Sequence, residues 1–199
     1  MKNKKWGTIS SDAPVYVILF VSRNKDNTDV EGFVERRKSF ISQQSAEELM
    51  PAFREFVNKG VTGEFCRFYR SVNARDMGVI RKKLLHFLIE EDDFNLCCIR
   101  SKVAGFAAQK ECAKEKKWLI DFDTTDPKKL NEFLEYISEK DETIEATVND
   151  TPHGRAIVLS HGFDSHDFAA KWGDVATIKK DDLLFIDGRA KMGYDIERK

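Results

Sequence analysis

Two acidic residues set two apart at the end of an apolar run, Asp121 and Asp123 in WLIDFDTTDP, are the side chains here whose types and spacing most readily do chemistry. In an extended segment alternate side chains share a face, so the two carboxylates point the same way and repel each other. A divalent cation relieves that repulsion and acts as a Lewis acid on a phosphate. Mg²⁺ or Mn²⁺ suits such a pair, because a hard cation takes one or two protein carboxylates and leaves its other positions to substrate oxygens. The same spacing also fits a strand that simply ends in water, with Asp126 capping the next helix.

Other chemistry-bearing stretches are weaker. SHGFDSHD gathers His161, Asp164, His166 and Asp167, residue types that ligate metals. A helix-capping turn, with Asp164 or Ser165 as cap, explains them equally well. RFYRSVNAR interleaves Arg67, Arg70 and Arg75 with Tyr69 and Asn73, a pattern that can grip phosphates and stack a base; it also fits a strand half buried and half solvated. Arg75, past the strand end, is the best phosphate ligand of that set. His86 sits in an apolar helical pattern and reads as a core or boundary residue. Cys66, Cys97, Cys98 and Cys112 lack zinc-type spacing and read as buried, reduced thiols. There is no Ser-His-Asp order, no Gly-x-Ser-x-Gly elbow and no phosphate-binding P-loop.

The elements that must position these residues belong to a chain of 199 residues, 41% hydrophobic and 34% charged, enough for a globular unit with a real core and a highly charged surface. Its 33 basic and 34 acidic residues nearly cancel, so nucleic-acid binding would need a local patch. The longest apolar run, VYVILFV, is strand-sized, and the first residues lack the apolar core of a secretion signal. A cytoplasmic location without membrane contact is the expectation.

Residues 15–22 and 32–42 read as two strands, joined as a hairpin through NKDNTD. Ser45 and Glu48 form a capping-box pattern opening a helix over 46–58, closed by Gly60, although Pro51 argues for a start nearer Leu49. A strand over 64–72 follows, then helices over 77–91 and about 101–116. The second half reads as strand 117–123, a helix with Asp126 as cap and Pro127 first, strand 142–148, turn 149–154, strand 155–161, a short helix ending near Trp172, and one or two closing strands over 175–187. That order, β-α-β-β-α-β, is the ferredoxin-like or RRM-like arrangement. The expected fold is therefore α+β: one domain over 1–199, with a β-rich half at 14–116 packed on an RRM-like half at 117–187. Residues 1–14 and a tail at 188–199 are polar and read as loosely held.

In that arrangement the first and third strands are antiparallel central neighbours. The end of 117–123 then lies beside the start of 155–161, and Asp121 and Asp123 come near His153, Gly154 and Arg155. Alternation puts both carboxylates on the open face of the sheet, with Ile120 and Phe122 toward the helices.

Three segments now resemble one family. FYRSVNARD at 68–76 resembles the strand ending in Asn-x-Arg of primase-polymerases. WLIDFD at 118–123 is similar to their Asp-x-Asp motif, and TPHGRAIVL at 151–159 to their Thr-Pro-Ser-Gly-Gly-x-His turn and strand. Over residues 64–187 the chain thus resembles the archaeo-eukaryotic primase-polymerase superfamily. The resemblance implies a divalent metal, Mg²⁺ or Mn²⁺, at Asp121 and Asp123, with Asp187 completing the site from a later strand. It implies Arg75, Asn73 and Tyr69 on phosphate or nucleic acid, and His153 and Arg155 offsetting charge in a nucleotidyl transfer. The family's histidine position is Ile157 here, and His153 stands where the family has serine. The alternative is a non-catalytic binding or inhibitor protein on the same fold, with a nucleic-acid or protein partner. The architecture is also similar in style to small tailed-phage proteins, which implies a viral accessory factor in a host cytoplasm.

Overall fold

The computed structural model describes residues 13–192. Its strands form two antiparallel four-stranded sheets. The first contains β1 (Tyr16–Ser22), β2 (Arg36–Ser42), β3 (Phe65–Ser71) and β8 (Leu183–Ala190), ordered β2-β1-β3-β8. The second contains β4 (Trp118–Phe122), β5 (Ala146–Thr151), β6 (Gly154–Leu159) and β7 (Ala176–Lys180), ordered β5-β6-β4-β7. The five α-helices are α1 (Ala46–Asn58), α2 (Met77–Glu90), α3 (Ile99–Ala107), α4 (Pro127–Lys140) and α5 (Phe168–Trp172). The fold is α+β, as expected, and no described helix is long and apolar enough to cross a membrane.

In the second half the elements run β4, α4, β5, β6, α5 and β7 along the chain. β4 and β6 are antiparallel central neighbours, with Asp121 opposite Ala156 and Phe122 opposite Arg155. Ile120, Phe122, Ile157 and Leu159 are at most 0% exposed and pack on Phe133 and Ile137 of α4 and Phe168 of α5. Pro127 opens α4 behind the Asp126 cap, which accepts from Lys128 N. Pro has no N–H to lose at that position.

In the first sheet, Ile18, Phe20, Cys66 and Phe68 face α1 and meet Leu49, Phe53 and Phe56. Four rings (Phe20, Phe53, Phe56, Phe68) make this core largely aromatic, with centroids 5.0–5.9 Å from Phe20. The opposite face carries Val17, which meets Ile80 of α2 and Ala107 of α3. Between the two sheets a smaller apolar seam, Val72, Leu119 and Ala156 with Val158 and Leu184, joins the halves.

Several expected boundaries move. α1 starts at Ala46 despite Pro51, because the Ser45–Glu48 capping box satisfies its first donors. α3 is confined to Ile99–Ala107, followed by a short 3-10 turn at Lys110–Cys112. β5 begins at Ala146 and runs through Thr151, so its turn to β6 shortens to Pro152 and His153. β8, expected to close the second sheet, pairs instead with β3 and extends into the expected tail as far as Ala190. The rest of that tail beyond 192, and residues 1–12, lie outside the described residues. His86, Cys97 and Cys98 are exposed, against expectation, because their stretch of α2 and the following turn lies on the surface; Cys66 and Cys112 are buried.

Candidate functional site

Asp121 and Asp123 face the gap between the sheets, not a helix. They line a cleft of about 450 Å³ together with His153 and Lys179 from the second half and Lys25, Arg67 and Tyr69 from the first. Each wall is built by a local device.

β4 places Asp121 on the face of Leu119, opposite Ala156, and Asp123 follows at the strand end, its N–H donating to Val175 O. Gly154 opens β6 beside this end. A Cβ there would run into the Phe122 carbonyl oxygen, so only glycine lets the two strands close at the rim. On the other side of β4 the register slips between Leu119, opposite Lys180, and Ile120, opposite Ile178. Lys179 is the extra residue of that bulge and is turned into the cleft. Lys180 takes the left-handed conformation, φ 54°, which is costly for a residue with a Cβ.

The first-half wall is held by the β1–β2 connection. A 3-10 turn at Asn24–Asp26 carries Lys25 to the cleft. Asp26 anchors it through Arg23 Nε at 2.8 Å and Arg67 at 2.7 Å. Buried Asn27 donates to Phe65 O at 3.0 Å and accepts from Phe65 N at 2.6 Å. β8 has its own slip, Phe68 opposite Asp187 but Tyr69 opposite Phe185, and the Tyr69 and Phe185 rings meet edge-on at 5.8 Å beside the cleft.

The electrostatics separate these carboxylates. Burial and then the neighbouring Asp123 carboxylate push the Asp121 carboxyl above its usual range, with Asp182 adding to the push and Lys179 and Lys25 opposing it. Burial alone would raise Asp26 too, but hydrogen bonds from Arg23 and Arg67 outweigh it and hold that carboxyl below its usual range.

Of the residues singled out from sequence, the cleft brings together Asp121, Asp123, His153, Arg67 and Tyr69. The others are elsewhere. Arg155 shares the face of Phe122 and Ile157, turned toward the helix layer, and lies 3.6 Å from Asp150. Asp187 belongs to the first sheet, on the face of Phe68, where it accepts from Arg189 Nε at 2.7 Å. Arg75 is 4% exposed and paired to Asp181 at 2.7 Å. Asn73 is 1% exposed and exchanges hydrogen bonds with the Lys117 backbone, donating to its O and accepting from its N. Arg75 and Asn73 thus tie the halves together instead of meeting solvent. Ile157, at the histidine position of the motif that TPHGRAIVL resembles, packs in the α4–α5 core; a histidine there would face the helices, not the cleft. The SHGFDSHD stretch is a surface turn: His161 meets Asp141 at 3.1 Å, Asp164 accepts from His166 N, and Asp167 sits before α5.

Sequence reasoning missed Lys25, Lys179 and Asp182, which also lines the cleft. A strand bulge and a folded-over loop place them, and neither leaves a spacing signal. Among the described residues no three His, Cys, Asp or Glu side chains gather closely enough to hold a metal ion by themselves. Two carboxylates with room for ligand oxygens remain compatible with a hard cation. No family model, curated protein or solved structure matches the chain.

Proposed function

We propose that the chain is a primase-polymerase-like protein that binds a phosphate-bearing ligand, a nucleotide or nucleic-acid end, in the cleft between its sheets, with a divalent cation at Asp121 and Asp123. One observation carries this reading. Asp121 and Asp123 share a cleft with two lysines from opposite halves, yet among the described residues neither carboxylate has an ion-pair partner, and Asp121 is held above its usual range by burial and by Asp123. Two neighbouring carboxylates without a direct ion-pair partner repel each other, and a bound cation relieves that repulsion. When bound, Mg²⁺ or Mn²⁺ would polarise a phosphoryl oxygen. Asp121 and Asp123 would hold it, Lys25 and Lys179 would offset phosphate charge from either wall, and the exposed His153 would reach the ligand from the rim. Tyr69 and Phe185 offer aromatic surface to a base or sugar.

A second reading, binding without transfer, is favoured by one feature. No three metal-ligating side chains converge among the described residues, and the family's third carboxylate and histidine positions point away from the cleft.

Mn²⁺ titrated into the wild type and into Asp121→Asn/Asp123→Asn, followed by heat and by melting temperature, tests the site. The wild type is expected to show saturable heat and stabilisation of about 2.7 kcal/mol at an ion concentration about 100-fold above Kd. The double variant is expected to lose both. A wild type indifferent to Mn²⁺ sinks the proposal. Nucleotide incorporation on a primed strand then separates the two readings.

A further inference from the structure

A groove unrelated to the cleft runs along the outer edge of β2. Among the described residues that strand ends its sheet and pairs with β1 alone. An end strand presents unpaired backbone N–H and C=O groups that can receive another strand. The space there is about 730 Å³. Adjacent residues of β2 line it, Lys38 from the α1 face, opposite Phe20, and Arg37 from the other face, opposite Val21. A cavity that draws on both faces of one strand wraps its edge. Leu49 of α1 walls one side and Ile99 and Arg100 of α3 the other, with Phe40 adding apolar surface.

The groove's charge is one-sided. Arg37, Lys38 and Arg100 line it and, among the described residues, no acidic residue does. None of the three forms an ion pair among the described residues, whereas Arg23, Arg36, Arg67 and Arg75 are each matched by a carboxylate. With a net charge of −1, the chain has enough acidic residues to neutralise these three, and the fold leaves them unmatched.

We propose that this edge docks a protein partner through an extended, acidic segment, which adds to the sheet beside β2. Backbone hydrogen bonds would set the register, the cations would receive alternate acidic side chains, and the apolar walls would take the residues between. A nucleic-acid strand matches the charge but has no amide pattern to pair with a sheet edge.

A labelled short peptide of alternating Glu and Val, its Lys-Val counterpart and a labelled single-stranded oligonucleotide, each titrated into the full chain, test this by fluorescence anisotropy, with amide hydrogen exchange read in parallel. The Glu-Val peptide is expected to bind in preference to the Lys-Val one and to protect amides of β2. Arg37→Glu/Arg100→Glu, at two exposed positions, is expected to weaken it about tenfold or more without lowering the melting temperature. Absent or charge-indifferent peptide binding, or binding without protection of β2, overturns the proposal. Oligonucleotide binding that the same double variant abolishes also overturns it, assigning the groove to nucleic acid.

Discussion

The two halves treat their carboxylates in opposite ways. In the first half Glu64, 2% exposed, is met by the Arg36 guanidinium and accepts from Val61 N, and Asp26 is held between Arg23 and Arg67. Both carboxyls sit below their usual range, because these hydrogen bonds outweigh the effect of burial. In the second half Asp121 and Asp123 stand side by side with no such partner, and Asp121 is pushed the other way. Carboxylates that build the fold arrive with their countercharge. The pair without a direct ion-pair partner opens on the cleft, with Lys25 and Lys179 only lining it, which makes a missing ion pair a better guide to function here than the number of acidic residues.

The contrast can be broken at its strongest point first. Arg36→Ala strands the Glu64 carboxylate in the interior and is expected to lower stability by about 3 kcal/mol in urea unfolding. Glu64→Gln/Arg36→Met should recover much of that loss, because no uncompensated charge remains.

A smaller effect is expected where the halves meet. Asn73→Ala leaves the Lys117 N–H and C=O without their side-chain partner and should cost about 2 kcal/mol. It should also weaken Mn²⁺ binding if the cleft depends on how the two halves are held, a result that the same titration reads.

The smallest effect has the opposite sign. Asp121→Asn removes a carboxylate whose ionised form is disfavoured in the fold, so it should raise the melting temperature slightly at neutral pH without metal. A carboxyl raised on folding contributes its stability below its unfolded pKa, about 4, and loses it as pH rises through the folded value. The gain of the variant should therefore vanish as pH falls below about 4, where wild-type Asp121 is protonated as well. Asp26 and Glu64 behave in reverse: their contribution is present above about pH 4 and lost as pH falls through their lowered folded values. A melting-temperature profile in which Asp121→Asn and the wild type stay parallel from acid to neutral pH would remove the contrast.

Local signals carried most of the elements. The capping box at Ser45 and the Asp126-Pro127 start are short-range hydrogen-bond and φ constraints, readable within one turn. The alternation of Ile120 and Phe122 against Leu119 and Asp121 already assigned the two faces of β4, and the carboxylates do face away from the helix layer. The same alternation sets Arg155 on the face of Ile157 and Leu159, and the structure places it opposite Phe122, away from the cleft.

By itself, then, the sequence determined the α+β class and the placing of Asp121 and Asp123 on one open face, because periodicity and capping act between near neighbours. Only the tertiary structure decided what faces that pair. β8 crosses back to the first sheet and takes Asp187 with it, a bulge turns Lys179 inward, and a loop pinned by Asp26 and Asn27 brings Lys25 across. Arg75 and Asn73, expected to bind phosphate or nucleic acid, are buried where the two halves meet. Each of these depends on contacts between residues far apart in the chain, whose energies no local pattern records.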